Sequence, residues 1–210
     1  MGPELFKERY GVSRETIKKL SYFHDEITSC QQITNLIGSG TLDQIWLRHF
    51  SDSIDVFNTF RTLKTKSIMD FGTGAGFPGI VIAIISEEEK LNHEITLVES
   101  NAKKIFFLQN VVLKLGLKIN LINDRVENLC KTNFDIITAR AVAPLNKLLK
   151  YLKNFNLKNT TLFFPKGRNW EKELETIKNL WKFDKLVVNN SHVFDNSGRI
   201  ILVLKNLQRK

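Results

Sequence analysis

The chain has 210 residues, 42% hydrophobic and 25% charged, enough for one domain with an extension, and its longest apolar run, Ile80 to Ile85, is far short of a membrane helix. Two isolated cysteines, Cys30 and Cys130, and four scattered histidines, His24, His49, His93 and His192, offer no metal-ligand spacing, and no basic stretch leads into an apolar one at the start, so a reduced, cytosolic, metal-free protein without membrane attachment is expected. Residues 1–139 carry 16 Lys+Arg against 17 Asp+Glu, whereas residues 140–210 carry 15 against 5, so the whole excess of +9 lies in the last third, as suits a surface that meets a polyanion.

Ser13 is placed to cap a helix running to about residue 37, with Glu15 in its first turn. After Gly38-Ser-Gly40, apolar positions 42, 45, 46, 50, 54 and 57 fit one face of a second helix. Both precede the first strand, so residues 1–60 are expected to form a helical cap packed on a domain spanning 61–210. From Ser67 onward strands and helices alternate. Strands are expected at 67–71, 94–98, 119–123, 134–139 and 160–164, with helices near 78–88, 101–115, 144–153 and 169–181. Alternation of this kind gives a mostly parallel sheet covered on both faces. The last two apolar runs, Lys185–Val188 and Arg199–Leu204, are joined by Asn, Ser and Gly residues and read as a hairpin, giving a seventh, antiparallel strand.

The first strand leads into the sequence that organises the rest, Ile68-Met-Asp-Phe-Gly-Thr-Gly-Ala-Gly-Phe-Pro-Gly79. An apolar strand ends in Asp70, three glycines alternate at 72, 74 and 76, and Pro78 opens a helix. A turn like this at the carboxyl end of a strand is the nucleotide crevice of an open α/β sheet. A phosphate-binding loop would need Gly-Lys-Ser/Thr, and a dinucleotide fingerprint would need a glycine where Phe77 stands. What remains is Asp-x-Gly-x-Gly-x-Gly, the pattern of class I S-adenosylmethionine (SAM) methyltransferases, and Thr73 lies within it. Glu99, at the end of the second strand, can accept hydrogen bonds from both ribose hydroxyls of a bound nucleoside. After the third strand, Asn123-Asp-Arg-Val-Glu127 stands where such sheets meet an adenine. Val126 is suited to pack on the ring and Glu127 to its edge, while Arg125 and Glu127 could equally form a surface ion pair.

The fourth strand ends in Ala139-Arg-Ala-Val-Ala-Pro144. No Asp/Asn-Pro-Pro-Tyr/Phe follows it, no Pro-Cys nucleophile is present, and no carboxylate pair flanks the turn. These absences disfavour methylation of adenine amines and of cytosine C5. Arg140 occupies the turn, and Lys166 follows in Phe164-Pro-Lys-Gly167, so two cations beside a nucleoside pocket suggest an anionic or electron-rich substrate.

With these segments the chain resembles the bacterial family first named glucose-inhibited division protein B, the small-subunit ribosomal RNA guanine-N7 methyltransferases. The resemblance rests on Asn35-Leu36, Trp46-Leu-Arg-His-Phe-Ser-Asp-Ser53, the glycine turn, Glu99-Ser-x-x-Lys-Lys-x-x-Phe-Leu108, Arg125-Val-Glu127, Ala139-Arg-Ala-Val-Ala-Pro-Leu145, Pro165-Lys-Gly167 and Gly198-Arg-Ile-Ile-Leu-Val-Leu204. One departure is Cys30-Gln31, where the family has Trp-Asn. The resemblance implies a class I SAM-methyltransferase fold, Rossmann-like α/β, with a seven-stranded sheet and an N-terminal helical extension. It implies SAM as cofactor and 16S ribosomal RNA or the small-subunit particle as partner, acted on by a monomer. It also implies that Gly72, Phe77, Val126, Glu127 and Arg140 contact SAM, and that Arg125, Lys166 and Arg199 face RNA or the transferred group. Asp70, Thr73, Gly74 and Glu99 join the expected cofactor site from the turn itself. Arg140 and Lys166 are expected to position rather than to take a proton. Guanine N7 carries a lone pair and no proton, so its methylation needs no general base; Phe77 and Arg140 are candidates to stack on the target base or on adenine. Three rival classes are a nicotinamide-dependent reductase, a non-enzymatic RNA-binding protein, and a SAM methyltransferase acting on another RNA, a protein or a small molecule.

Overall fold

A computed structural model describes residues 1–130, 133–189 and 198–210. Seven strands form one sheet: β1 (Ser67–Phe71), β2 (Glu94–Val98), β3 (Ile119–Ile122), β4 (Ile136–Thr138), β5 (Thr161–Lys166), β6 (Trp181–Asn189) and β7 (Ile200–Arg209). Their order is β3-β2-β1-β4-β5-β7-β6, and β7 alone runs antiparallel, to both of its neighbours. The order reverses between β1 and β4, so the crevice of the sheet opens where those two strands end.

The expected elements are present, with four differences. A helix α1 (Pro3–Tyr10), opened by Pro3 and closed by Gly11 in the left-handed region, precedes the expected first one. That helix, α2 (Arg14–Thr34), starts at its Ser13 cap, whose hydroxyl accepts from Thr16 N at 3.1 Å, but it stops three residues early, at a left-handed Asn35. The segment expected as one helix over 42–57 is a 3₁₀ stretch (39–44), a π-helical turn (45–50) and α3 (Ser51–Phe60). Ser51 Oγ donates to the Trp46 carbonyl at 2.9 Å and Ser53 Oγ to that of His49 at 2.6 Å, satisfying acceptors in the widened turn. The expected last helix is α7 (Trp170–Lys178); residues 179–180 form a turn, and Trp181 already belongs to β6. The turn expected to join the last two strands falls on 190–197, outside the described residues, as does His192.

Two apolar layers sandwich the sheet. On one face, α1–α3 share a cluster with α4 (Gly79–Glu88) and α5 (Ala102–Leu115), including Phe6, Phe23, Phe50, Ile80 and Ile84. On the other, α6 (Leu145–Tyr151) and α7 cover Met69, Ile137, Leu162 and Leu202. The cap is also tied by polar contacts: Glu88 accepts from Ser13 N and Thr16 Oγ1, each at 2.6 Å, and Lys19 pairs with Glu87 at 2.7 Å. Phe50 is the hub of the cap, with ring centroids 4.8 Å from Trp46, 5.8 Å from Phe23 and 5.7 Å from Phe77. Phe50→Ala is expected to cost about 3–5 kcal/mol in urea unfolding, because a fully buried ring leaves a cavity. A loss under about 1 kcal/mol would show that the cap packs loosely enough to collapse around the gap.

Candidate active site

The glycine turn is held by two carboxylates. Asp70, at the end of β1, is fully buried, and its Oδ2 accepts from Thr73 Oγ1 at 2.5 Å and from Gly79 N at 3.1 Å. Gly79 must be glycine on grounds of space, since a Cβ there would lie 2.1 Å from Leu97 Cδ2. Glu99, at the end of β2, accepts from Gly74 N at 3.0 Å through one oxygen and from Asn101 N at 2.8 Å through the other. Asn101 then caps α5, its side chain accepting from Lys103 N at 2.9 Å. Gly74 itself has φ +62°, and a Cβ there would make ordinary van der Waals contact with the Leu36 and Gly72 carbonyl oxygens and Lys104 Nζ.

Asp70 and Thr73 therefore lie behind the turn, buried within it, and serve a cofactor by shaping the loop rather than by touching it. Burial pushes the Asp70 carboxyl up to about 7, while the hydrogen bonds from Thr73 and Gly79 pull the other way. Among the described residues its Oδ1 has no hydrogen-bond partner, and neither does the buried Oγ1 of Thr138, opposite it in register on β4. A proton on Oδ1 thus displaces no existing bond.

Phe77, a candidate with Arg140 to stack on the target base or on adenine, is held within the packing of the cap. Its ring is only 5% exposed, packed 5.1 Å from Phe23 and 4.9 Å from His49, with the Arg140 guanidinium 6.0 Å from its centroid. Val126 is buried at the start of a 3₁₀ turn over 126–128, anchored by Asn154 Nδ2, which donates to the Glu127 carbonyl at 2.9 Å. Arg125 is exposed, and no ion pair joins it to Glu127 among the described residues.

Beside the turn, past the ends of β4 and β5, lies a cavity of about 500 Å³ lined by Arg48, Arg140, Lys166 and Arg199, with Asp52 and Glu173 as its carboxylates. Asp52 comes from α3; it lies within the segment Trp46–Ser53 that carries the resemblance, but no role was expected of it. Its Oδ2 lies 3.2 Å from both Arg140 Nη2 and Arg199 Nη1. Burial works against the Arg140 charge and Asp52 works for it. Lys166 and Arg199 were expected to face RNA or the transferred group, and both side chains are nearly buried in the cavity wall. Lys166 is bound to Glu173 Oε2 at 2.8 Å and to the Ala143 carbonyl at 3.1 Å, because Glu173 also accepts from Leu145 N at the start of α6 and fixes the ammonium there. His49 is held neutral, its pKa pushed down to about 3 by burial and then by Arg140, Arg48 and Arg199. Thr41 donates its proton to the Gly38 carbonyl at 2.9 Å, which leaves its oxygen to accept from His49 Nε2, also at 2.9 Å.

The residues fit SAM. The glycine backbone adjoins Glu99, a carboxylate with lone pairs to spare, and the turn needs no further ligand to hold its shape. Fold and turn together define a class I SAM-dependent methyltransferase, whose cofactor supplies an electrophilic methyl group on a sulfonium. Solved structures agree on the fold. A TehB-like SAM-dependent methyltransferase from Corynebacterium glutamicum superposes with a TM-score of 0.54 at 12% identity, covering 87% of this chain and 98% of its own. A variant of MtNAS in complex with S-adenosylmethionine gives 0.61 at 12% identity, covering 97% and 83%. The family model described as GidB, rRNA small subunit methyltransferase G, matches residues 16–202. The ribosomal RNA small subunit methyltransferase G of Zymomonas mobilis subsp. mobilis is 39% identical over 202 residues, 93% of this chain and 88% of that protein. The protein of the same name from Paramagnetospirillum magneticum is 32% identical over 209 residues, 100% and 98%. The chain belongs to this GidB family and is a SAM-dependent methyltransferase of small-subunit ribosomal RNA.

A carboxyl whose pKa is higher folded than unfolded binds more protons in the folded state, so its stabilisation drains as pH rises from about 4 through about 7. The stability of the cofactor-free wild type relative to Asp70→Asn is therefore expected to fall by about 1–3 kcal/mol over that window in urea titrations. A difference that stays constant with pH would show that Asp70 is ionised throughout.

Proposed function

We propose that this enzyme transfers the SAM methyl group to N7 of a guanine in 16S ribosomal RNA, acting as a cytoplasmic monomer on the RNA or the small-subunit particle. The observation that carries the reading is the chemistry of the cavity: both of its carboxylates, Asp52 and Glu173, are committed to ion pairs, so neither is free to remove a proton. Guanine N7 has no proton to remove, and its in-plane lone pair needs alignment and exclusion of water. The target base would leave its stack to enter the cavity.

In this reading residues 1–60 act as a lid over the cofactor half of a catalytic domain spanning 61–210. Gly72, Gly74 and Glu99 hold the nucleoside and amino-acid portions, Val126 and Glu127 border the adenine, and Arg140 bounds the transfer site. Asp70, Thr73 and Phe77 support these from behind. Arg125 is the exposed cation suited to RNA, while Lys166 and Arg199 act from the cavity wall, shaping it through Glu173 and Asp52.

Mapping N7-methylguanosine in 16S RNA with and without the protein tests the reading, with a single new modified guanine as the expected result. A methyl group on a ring carbon, ribose or exocyclic amine would overturn it. Single-turnover rates at saturating SAM are expected to stay nearly flat from about pH 6 to 9, since no deprotonation limits the step; a bell-shaped profile would call for an acid–base pair. Glu99→Ala is expected to weaken S-adenosylhomocysteine binding by about 1–3 kcal/mol in calorimetry. Unchanged affinity would take Glu99 out of the site. RNA affinity is expected to fall steeply with salt, and a flat dependence would remove the electrostatic role of residues 140–210.

A further inference from the structure

Residues 140–210 carry the chain's positive excess, yet three of their cations are engaged in the active-site cavity, Arg140 and Arg199 by Asp52 and Lys166 by Glu173. Four others, Lys150, Lys153, Lys158 and Arg209, line a second cavity, of about 680 Å³, bounded by α6, α7, the start of β6 and the end of β7. All four are exposed, and none makes an ion pair among the described residues. One carboxylate, Glu127, shares the lining with them.

The floor of this groove is apolar, made by Leu152, Phe155, Leu157 and Leu207, buried members of the layer on that face of the sheet. Two further apolar side chains in its wall are left open to solvent: Leu180 is 52% exposed and Trp181 is half-buried. The wall itself is fastened, since the Leu180 carbonyl accepts from Lys210 N at 3.0 Å and Lys210 Nζ donates to the Lys178 carbonyl at 2.7 Å. Trp181 stands opposite Arg209 in the antiparallel register of β6 and β7, so the indole and the guanidinium leave the sheet on one face. A merely solvated lysine face needs neither an apolar floor nor an open indole. An unstacked nucleotide uses both, its base lying on aromatic and aliphatic side chains and its phosphates meeting the cations. An acidic protein segment would be the other occupant of such chemistry, and an enzyme that acts on ribosomal RNA favours the nucleotide.

We propose that this groove docks an unpaired nucleotide of the ribosomal RNA substrate, distant from the base that is methylated. Trp181 and Leu180 take its base, and Lys150, Lys153, Lys158 and Arg209 take the flanking phosphates. β7 leaves the catalytic edge of the sheet at Ile200, beside Lys166, and Leu207 follows seven residues later, roughly 23 Å along the strand. The groove is thus a second anchor, which holds the RNA while the target base leaves its stack. The inference rests on ribosomal RNA as substrate and not on which atom is methylated.

The test is binding of protein-free 16S RNA across a salt series, with the small-subunit particle and S-adenosylhomocysteine as comparison probes. Lys150→Gln/Lys153→Gln is expected to weaken RNA about tenfold at physiological salt and to make the log–log salt slope shallower by about two. Trp181→Ala is expected to weaken RNA about tenfold with the slope unchanged, and Trp181→Phe to retain most of the affinity. S-adenosylhomocysteine affinity is expected to stay within about twofold throughout. Trp181 also packs on the core, so the exposed lysine pair decides the matter should Trp181→Ala fail to fold. Unchanged RNA affinity in the lysine variant would overturn the inference. An equal loss from Lys172→Gln/Lys182→Gln, an exposed pair outside the groove, would overturn it in favour of a diffuse field. Losses seen with the particle but not with protein-free RNA would overturn it in favour of a ribosomal-protein segment. A methyl group mapped to another atom would overturn the N7 reading alone.

Discussion

Everything in this site depends on two carboxylates gripping one turn from opposite sides. Asp70 holds the turn to the start of α4 through Thr73 and Gly79, and Glu99 holds it to β2 through Gly74. A glycine-rich segment has much conformational entropy to lose, so a loop left free would have to be ordered at the expense of cofactor affinity. Here that ordering is built into folding. Asp70 bears its cost as a buried carboxyl with one oxygen unbonded and a raised pKa. Glu99 stays nearer solvent and keeps acceptor capacity for a ligand, which explains why one acid shapes the site and the other can serve it.

A third carboxylate joins the cap to the cavity. Asp52 sits on α3, yet it pairs with arginines that follow β4 and precede β7, so the helices of residues 1–60 are electrostatically committed to the substrate side as well as packed on the cofactor side. Removing it would leave two nearly buried guanidinium groups without this counter-ion, a far larger disturbance than loss of a surface ion pair. Burial, and after it the arginines of the cavity, keep His49 neutral and so leave its imidazole out of any charge balance. An excess of fixed positive charge over two engaged acids makes a wall suited to an electron-rich base on a polyanionic chain.

Much of this was legible because it is local. The strand, the alternate glycines and Pro78 announce a turn, and Glu99 ends a strand in a position fixed by the α/β repeat. The seven strands were visible in their apolar runs, and the antiparallel last strand in its polar connection. The cap was less so, because apolar positions 42–57 fit an α-helical face equally well, and only the backbone shows the π-helical turn that spaces Trp46 and Phe50. Side-chain roles that depend on distant partners were hidden altogether. Asp52 reads as a solvated residue of a helix until Arg199, 147 residues away, is brought against it. Lys166 looked available to RNA because the loop between it and Glu173, seven residues on, carries no pattern that shows the two side chains meeting. Phe77 looked like a stacking surface because its burial comes from the cap, whose packing on the turn no local pattern reveals.

The most direct test of a pre-formed cleft is a crystal structure with S-adenosylhomocysteine. The expected result is a backbone over residues 70–79 that stays within about 1 Å of the geometry described, with the Glu99 carboxylate within hydrogen-bond reach of the ribose and the Asp70 contacts to Thr73 and Gly79 intact. A turn that refolds around the ligand, or a ligand seated away from Gly74, would contradict it.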